Sequence, residues 1–471
     1  MGLPSTTQSH RVAGATEQDT YELIVFNQAG TAMLMQARAS GYDLPVVEIP
    51  RFTRSAKEIT TILRDRFRTS YVFLFSGALK QNPDPVYFAA LEAQGPTGTL
   101  PKEMDWFPVH HAISHVLKDK ERTIVEASYL KATNRTPGHE PGPFSRLGWM
   151  SNLQDWVRTV IRPLGMELKD FQQLNGSETF TLIRFDTTHR PVWFKAVGEP
   201  NLHEFPITLA ISKLLPKYVP SLLASQPAWH GWLMADAEGC SLDELEDPSA
   251  WKSAATALAA LQIESIATTT GLLEAGCKDL CIPKLLALVD PFLDVTADLM
   301  KQQGKVPPPI LSRGELAEVS ASLKDALDCL AALRIPDTLG HSDFNPGNII
   351  IGPESCVFID WAEAHIGHPF LTFEYLLAHL RKDHSQSVPF ESDIRAVYSH
   401  NWNSIALPVQ VAEAYLFSPL VAVYAYAVSS GVWRDPERLK VPGFQGYLRS
   451  LARRMKQESD LLQRRRVECP N

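Results

Sequence analysis

Between Leu339 and Trp361 the chain reads LGHSDFNPGNIIIGPESCVFIDW, and here residue types and spacing can carry chemistry. His341, Asp343 and Asn348 are followed, after an apolar run and a Gly352-Pro353-Glu354 turn, by Val357-Phe358-Ile359 ending in Asp360. Phosphoryl transfer from a nucleotide asks for a carboxylate that orients and deprotonates an attacking hydroxyl. It also asks for two hard oxygen ligands on the Mg²⁺ that neutralises the phosphates. Asp343 fits the first role; Asn348 and Asp360 fit the second. A polar loop built only for turning explains Asn345 to Gly347 but not the spaced His, Asp, Asn and second Asp.

Such a loop needs a small sheet that holds the phosphates. Phe171 to Leu174 and Thr179 to Phe185 predict a hairpin around Asn175-Gly176-Ser177-Glu178, and Gly176 and Ser177 give its tip few bulky side chains to lie over phosphates. Val192 to Val197 predicts a strand with one lysine, Lys195, in the position of a phosphate-contacting lysine; Glu204, at the start of a predicted helix Glu204 to Leu215, is its expected partner. In isolation an edge-strand lysine is a common gatekeeper, and a first-turn carboxylate is favoured by the helix dipole. Gly231 to Gly239 reads as a strand ending in a polar turn, a hinge in which Met234 and Ala235 face an adenine edge.

These motifs resemble those of the aminoglycoside phosphotransferase-like family. The residues that carry the resemblance are His341 to Asn348 with its Asn-Pro-Gly-Asn ending, Ile359-Asp360-Trp361, the trailing Ile366-Gly367-His368-Pro369, and Leu258 to Gln262, similar to a family helix that ends Leu-His. The resemblance spans residues 150 to 460. It implies a two-lobed protein-kinase-like fold, with a small β-sheet N-lobe and a helical C-lobe. The implied activity moves the γ-phosphate of ATP or GTP to a hydroxyl of a small-molecule acceptor, with Mg²⁺ as cofactor. Asp343 would be the base, Asn348 and Asp360 the Mg²⁺ ligands, Lys195 a phosphate contact, and His341 a brace for the loop. Gln262 stands where the family has His, and Thr372 where an Asp follows the Gly-His-Pro turn, which leaves open how the active-site floor is braced. A nucleotide-binding pseudokinase or sensor is the alternative; presence of the base, both metal ligands and the lysine favours the enzyme.

Ahead of this unit, residues 17–132 predict a separate α+β domain. Tyr21 to Phe26, the Asn27 to Gly30 turn and Thr31 to Gln36 read as a hairpin. Ser55 to Phe67 reads as a helix, with Ile59, Ile62, Leu63 and Phe67 on one face and Ser55 capping towards Glu58. Strands Tyr71 to Phe75 and Val86 to Leu91 and a short helix His110 to Leu117 follow. This order, with Met104 to Val109 near its end, resembles a Nudix hydrolase domain. Where that family carries Arg-Glu and a Glu-Glu pair, the helix here offers Arg64-Asp65-Arg66-Phe67-Arg68, its acids being only Glu58 and Asp65, and Leu44-Pro45-Val46-Val47 replaces a Leu-Pro-Gly-Gly stretch. The resemblance therefore implies a degenerate, non-catalytic module, and the missing carboxylates disfavour a pyrophosphohydrolase; an unrelated α+β domain is the alternative. His110, His111 and His115 are expected to point in different directions. Residues 133–150, rich in Pro and Gly, predict a linker, 151–239 the N-lobe and hinge, and 240–465 a C-lobe that is helical apart from one strand-turn-strand block between Asn348 and Trp361.

Composition bounds the rest. A chain of 471 residues, 45% hydrophobic and 21% charged, should fold into two or three globular units. With 45 Lys+Arg against 53 Asp+Glu, nucleic acid is a poor default partner. Leu416 to Val428, interrupted by Ser418 and Pro419, falls short of a bilayer span, so no membrane partner is expected. The polar start Met1 to Thr20 and six sparse cysteines predict a cytoplasmic, reduced protein; Cys277 and Cys281 lack a second pair to complete a zinc site. The acidic run Cys240 to Asp247 could favour a cationic acceptor, but a helix start explains it better. The helical region from Phe390 to Leu462 is expected to supply part of the acceptor wall, with Trp402, Tyr415, Tyr424, Tyr426 and Trp433 mostly in the core.

Overall fold

Leu23 to Phe26 is apolar at every position, and in a strand that pattern means both faces are covered. The computed structural model shows how, describing residues 17–39, 41–79, 86–95, 100–135 and 142–468. Most of the predicted polar start, part of the predicted linker (136–141) and Cys469 lie outside the described residues. The chain divides into two units, Met1–Phe205 with Ser221–Asp236, and Pro206–Pro220 with Ala237–Asn471.

In the first unit, β1 (Gln18–Phe26), β2 (Ala32–Arg38), β3 (Gly41–Asp43), β4 (Val46–Pro50), β5 (Ser70–Leu79), β6 (Val86–Gln94) and β7 (Met104–Pro108) form one sheet. Its order is β3-β2-β1-β6-β5, with β4 on β1, β7 on β2, and β1 parallel to β6. Leu23 and Val25 face Ile59, Leu63 and Phe67 of α1 (Ser55–Phe67), whose bounds are those the sequence predicts. The expected Ser55 cap does not form: Arg54 is the N-cap, so Ser55 is already inside the first turn, past the position from which a hydroxyl reaches the free N–H groups. The predicted helix His110 to Leu117 is a short α2 (Val109–His111) continuing as a π-helical stretch, Ala112–Val116. The adjacent His110 and His111 diverge as expected, His110 turning to Tyr129, while His115, four residues on, comes to 5.1 Å from the His111 ring. The next helix, α3 (Asp119–Ala132), was not expected because only Val125, Ser128 and Ala132 along it are buried, too few for a clear apolar stripe.

The opposite face of the sheet, through Ile24, Phe26, Val72 and Leu74, packs into a core shared with α4 (Trp149–Ile161) and a second sheet. That sheet is antiparallel, β11-β12-β10-β9-β8, from β8 (Leu168–Gly176), β9 (Thr181–Thr187), β10 (Val192–Ala196), β11 (Leu222–Gln226) and β12 (Gly231–Ala235). α5 (Glu204–Leu214) follows β10. Both sheets therefore share one core, unlike the separate domain and linker the sequence predicts. Phe144 and Trp149, within the Pro- and Gly-rich stretch, are buried in it; such composition marks irregular backbone, not exposure.

In the second unit, β13 (Cys240–Ser241) precedes α6 (Pro248–Ser265), α7 (Thr269–Glu274), β14 (Lys278–Leu280), α8 (Ile282–Lys301) and α9 (Arg313–Ala332). Then come β15 (Thr338–His341), β16 (Ile349–Ile351), β17 (Cys356–Phe358) and β18 (Ala364–Gly367), followed by α10 (Phe370–Asp383), α11 (Glu391–Trp402), α12 (Pro408–Ser429), α13 (Pro436–Leu439) and α14 (Pro442–Glu468). Two small sheets, β13-β16-β17 and β14-β18-β15, interrupt the helical pattern, where the sequence predicts one strand-turn-strand block. β14, β15 and β18 are three or four residues long, too short for an alternating pattern to register. α12 is by length and composition long and apolar enough to cross a membrane (mean hydropathy 1.5), and in this unit 61% of that window is buried. The Tyr424 hydroxyl of α12 donates to the Leu285 carbonyl at 2.8 Å. Cys240, Cys277, Cys281, Cys329 and Cys356 carry free thiols.

Glu92 on β6 is fully buried, accepting the Gly148 N–H at the start of α4 and a bond from the Gln94 amide, both at 2.6 Å. Burial pushes its carboxyl up to about 7 against those two bonds. A carboxyl raised in the folded state binds more protons there than in the unfolded chain, so its contribution to stability falls as pH rises from the ordinary carboxylate range to about 7. Glu92→Gln, compared with wild type by thermal unfolding, should gain on wild type between pH 4.5 and pH 8, by roughly 3 kcal/mol at most, whatever offset the replaced acceptor leaves at pH 4.5. Superimposable pH profiles would contradict this.

Candidate active site

In the first unit the strand register fixes the residues that the sequence assigns to a nucleotide. Lys195 on β10 lies opposite Leu182 on β9, which lies opposite Asn175 on β8; the next row is Ala196, Thr181 and Gly176. The turn carrying Ser177 thus rises from the end of the sheet that carries Lys195. Ser177 closes it, its N–H donating to the Phe180 carbonyl at 2.8 Å and its hydroxyl accepting the Phe180 N–H at 3.1 Å. Lys195 Nζ donates to Glu204 Oε1 and stands 5.7 Å from the Trp232 ring centroid. The structure therefore brings together the two residues the sequence paired. Glu204 is 2% exposed, so its carboxylate is no ordinary first-turn acid: a charge buried this deeply is tolerated only beside its partner. Met234 and Ala235 lie opposite Trp193 and Val192, and the Trp193 indole donates to Asp236 just beyond β12.

In the second unit, β15 delivers His341, Ser342 and Asp343 into a turn. Asn345 caps the 3₁₀ turn Pro346–Asn348, its Oδ1 accepting the Gly347 N–H at 3.0 Å. Its Nδ2 donates to Asp343 Oδ1 at 3.1 Å and so orients the carboxylate, a role the sequence reading left to turn formation alone. Among the described residues no donor meets Asp343 Oδ2. Asn348 Nδ2 donates to the Asp343 carbonyl at 2.9 Å, and the Ile359 N–H donates to the Asn348 carbonyl at 3.0 Å. The second bond sets Asp360 beside Asn348. Asp360 is exposed, with φ 66, a left-handed conformation that costs a non-glycine residue roughly 1–3 kcal/mol and collects at functional sites.

His341, 1% exposed, ties the two segments together. Its Nδ1 accepts the Asp343 N–H at 3.0 Å and its Nε2 faces the Ile359 carbonyl at 3.3 Å. Only the neutral ring protonated at Nε2 satisfies both, and burial lowers the His341 pKa in keeping with that. Burial acts oppositely on Asp343, raising its pKa, with the Asn345 bond opposing the rise and Asp360 adding to it. The sequence expectation that His341 braces and does not react agrees with this geometry.

The two departures at Gln262 and Thr372 acquire partners. Gln262 Nε2 donates to the Pro369 carbonyl at 2.8 Å and its Oε1 accepts from the Tyr398 hydroxyl at 2.6 Å. Thr372 Oγ1 accepts the His341 N–H at 3.0 Å. Ser265 Oγ accepts the Leu339 N–H at 2.9 Å. The loop's floor is thus held by neutral amides and hydroxyls, which demand no counter-ion. His365 and His368, fully buried beside it, are pushed down to about 3 by burial.

Of the aromatics expected mostly in the core, Trp402, Tyr424 and Trp433 are buried there. Tyr375 and Tyr447 were missed. The Asp343 carboxylate adds to burial in raising both phenols, and the Tyr447 hydroxyl bonds that of Tyr426 at 2.6 Å. Of the acidic run, Asp243 lies against the catalytic loop: a Cβ at Gly347 would stand 3.3 Å from its Oδ2.

A carboxylate oriented by an amide, near an Asn and an Asp linked through the backbone, offers the groups that phosphoryl transfer asks for. Residues 219–388, which hold this whole loop, match the family described as the phosphotransferase enzyme family. Among solved structures the chain is similar to a choline kinase from Cryptosporidium parvum (12% identical, TM-score 0.45, covering 68% of this chain and 96% of that one). It is also similar to a Plasmodium vivax ethanolamine kinase (13%, TM-score 0.42, 74% and 92%). A third is a spectinomycin phosphotransferase solved with ADP and spectinomycin (14%, TM-score 0.38, 65% and 98%). No curated protein sequence matches the chain.

Thr372→Val deletes the acceptor of a buried N–H while keeping the shape. It should cost about 1–3 kcal/mol in denaturant unfolding, with Thr372→Ser close to wild type. Equal losses in the two variants would show that the hydroxyl does not hold the loop.

Proposed function

We propose that the protein transfers the γ-phosphate of ATP or GTP to a hydroxyl of a small-molecule acceptor. The observation that carries this is the bridge from His341 to both Asp343 and the Ile359 carbonyl, which presents a base and two oxygen ligands from one braced loop. In this reading Asp343 accepts the acceptor's hydroxyl proton. Its raised pKa strengthens it as a base, and Oδ2, free of donors among the described residues, is the oxygen that would take the proton. Lys195, held by Glu204, contacts the nucleotide phosphates, Gly176 and Ser177 cover them, and Met234 and Ala235 face the base. Asn348 and Asp360 fit Mg²⁺: both offer hard oxygens, and Asn348 spends its Nδ2 on the Asp343 carbonyl, which leaves Oδ1 as a ligand. When bound, Mg²⁺ would neutralise charge on the phosphates.

Residues 17–132 we read as a Nudix-like module without catalysis of its own; α1 carries Glu58 and Asp65 as its only acids. With its free thiols, the protein is suited to the reducing cytoplasm. Tyr375, Tyr426 and Tyr447 are the side chains we expect an acceptor to meet near Asp343.

A coupled ADP assay over a panel of amino-alcohol and amino-sugar acceptors, run with ATP and GTP separately, identifies the substrates. With the best acceptor, Asp343→Asn should lower kcat by roughly 10²–10⁴-fold and leave the nucleotide Kd unchanged by calorimetry. If wild type binds nucleotide but turns over no acceptor better than Asp343→Asn, a nucleotide sensor replaces the enzyme.

A further inference from the structure

The tip of the β8–β9 hairpin is held from outside its own sheet. The Glu178 carboxylate pairs with Lys131, near the end of α3, and its carbonyl accepts the Phe144 N–H at 3.0 Å. Gly142 lies so close that a Cβ there would collide with the same carbonyl, and Thr179 packs onto Gly198 in the same way. Further down β8, the buried Gln173 side chain accepts the Phe73 N–H at 2.8 Å and donates to the Phe73 carbonyl at 3.1 Å. It stands in for a strand partner. Lys131 Nζ also sits 4.6 Å from the Phe75 ring centroid, so its stem and charge are both engaged.

Every fastening residue except Gly198 and Gln173 belongs to the chain before α4. The turn springs from the row Gly176, Thr181 and Ala196, adjacent to the row that ends in Lys195, so a shift of the tip changes its distance to whatever Lys195 contacts.

We propose that the N-terminal module positions the nucleotide-covering turn. Lys131, acting through Glu178, sets the placement of Gly176 to Thr179 and thereby the affinity for the triphosphate. This rests on the phosphotransferase reading of the same sheet. Lys131 and Glu178 are positioning residues: neither reacts. If the pair only fastened two sheets together, its loss would lower stability and leave phosphate affinity alone.

The test uses the full chain with Lys131→Met, Glu178→Gln and the swap Lys131→Glu with Glu178→Lys, titrated by calorimetry with Mg-ATP and with adenosine, which lacks the phosphates. Each single variant should weaken Mg-ATP by about fivefold and raise the ATP KM alike, with kcat within about twofold of wild type and adenosine affinity unchanged. The swap should recover most of the loss. Gly142→Ala, which pushes on the Glu178 carbonyl instead of its carboxylate, should weaken Mg-ATP in the same selective way. Single variants that bind Mg-ATP as wild type does, or that lose Mg-ATP and adenosine equally, overturn the inference. A wild type that binds neither compound contradicts the phosphotransferase reading itself.

Discussion

One neutral imidazole holds the Asp343 loop and the Asp360 strand end in register. Asp343 and Asp360 carry like charges and sit on segments separated by two short strands, so nothing in their own chemistry draws them together. His341 resolves this by accepting from the backbone of one segment and facing the carbonyl of the other. It does so only while uncharged: a proton on Nδ1 would break the bond to the Asp343 N–H. Burial enforces the neutral form, and the neighbouring floor of Gln262, Thr372 and Ser265 adds no charge that would oppose it.

The first unit solves a different problem by the opposite means. Lys195 must keep a positive charge in a nearly closed position, and it is matched by an acid that is itself buried. A pair of this kind costs desolvation energy and contributes little net stability, but removing either partner strands a buried charge, which makes the geometry hard to lose. The same unit carries the hairpin turn next to that lysine. That turn is fastened through Glu178 to Lys131 of α3 and to the Phe144 N–H, so it is held from outside its own sheet.

Sequence made the site legible where chemistry depends on residue type at short spacing. Asp343, Asn348 and Asp360 lie within one loop-strand-strand block, and Lys195 stands alone in an apolar strand nine residues before Glu204, so their grouping needs no knowledge of distant contacts. The α1 boundaries were equally readable, since Ile59, Leu63 and Phe67 repeat at helical spacing. Long-range pairing hid the rest. β14 finds β18 in parallel 87 residues along the chain, and Gln262 finds Tyr398 and Pro369 more than a hundred residues away, so neither the small sheet nor the compensated floor leaves a local mark. The shared core of the two sheets was hidden by composition: prolines and glycines between 133 and 150 mask the buried Phe144 and Trp149.

The account stands or falls on the His341 bridge. In His341→Phe, which keeps a buried ring but neither nitrogen, activity measured across a Mg²⁺ titration should show kcat lower by roughly 10²-fold. Half-maximal activity should also need more Mg²⁺, because the Asp343 and Asp360 segments lose their common tie. A variant with wild-type kcat and a wild-type Mg²⁺ requirement would contradict the claim that this imidazole sets the site.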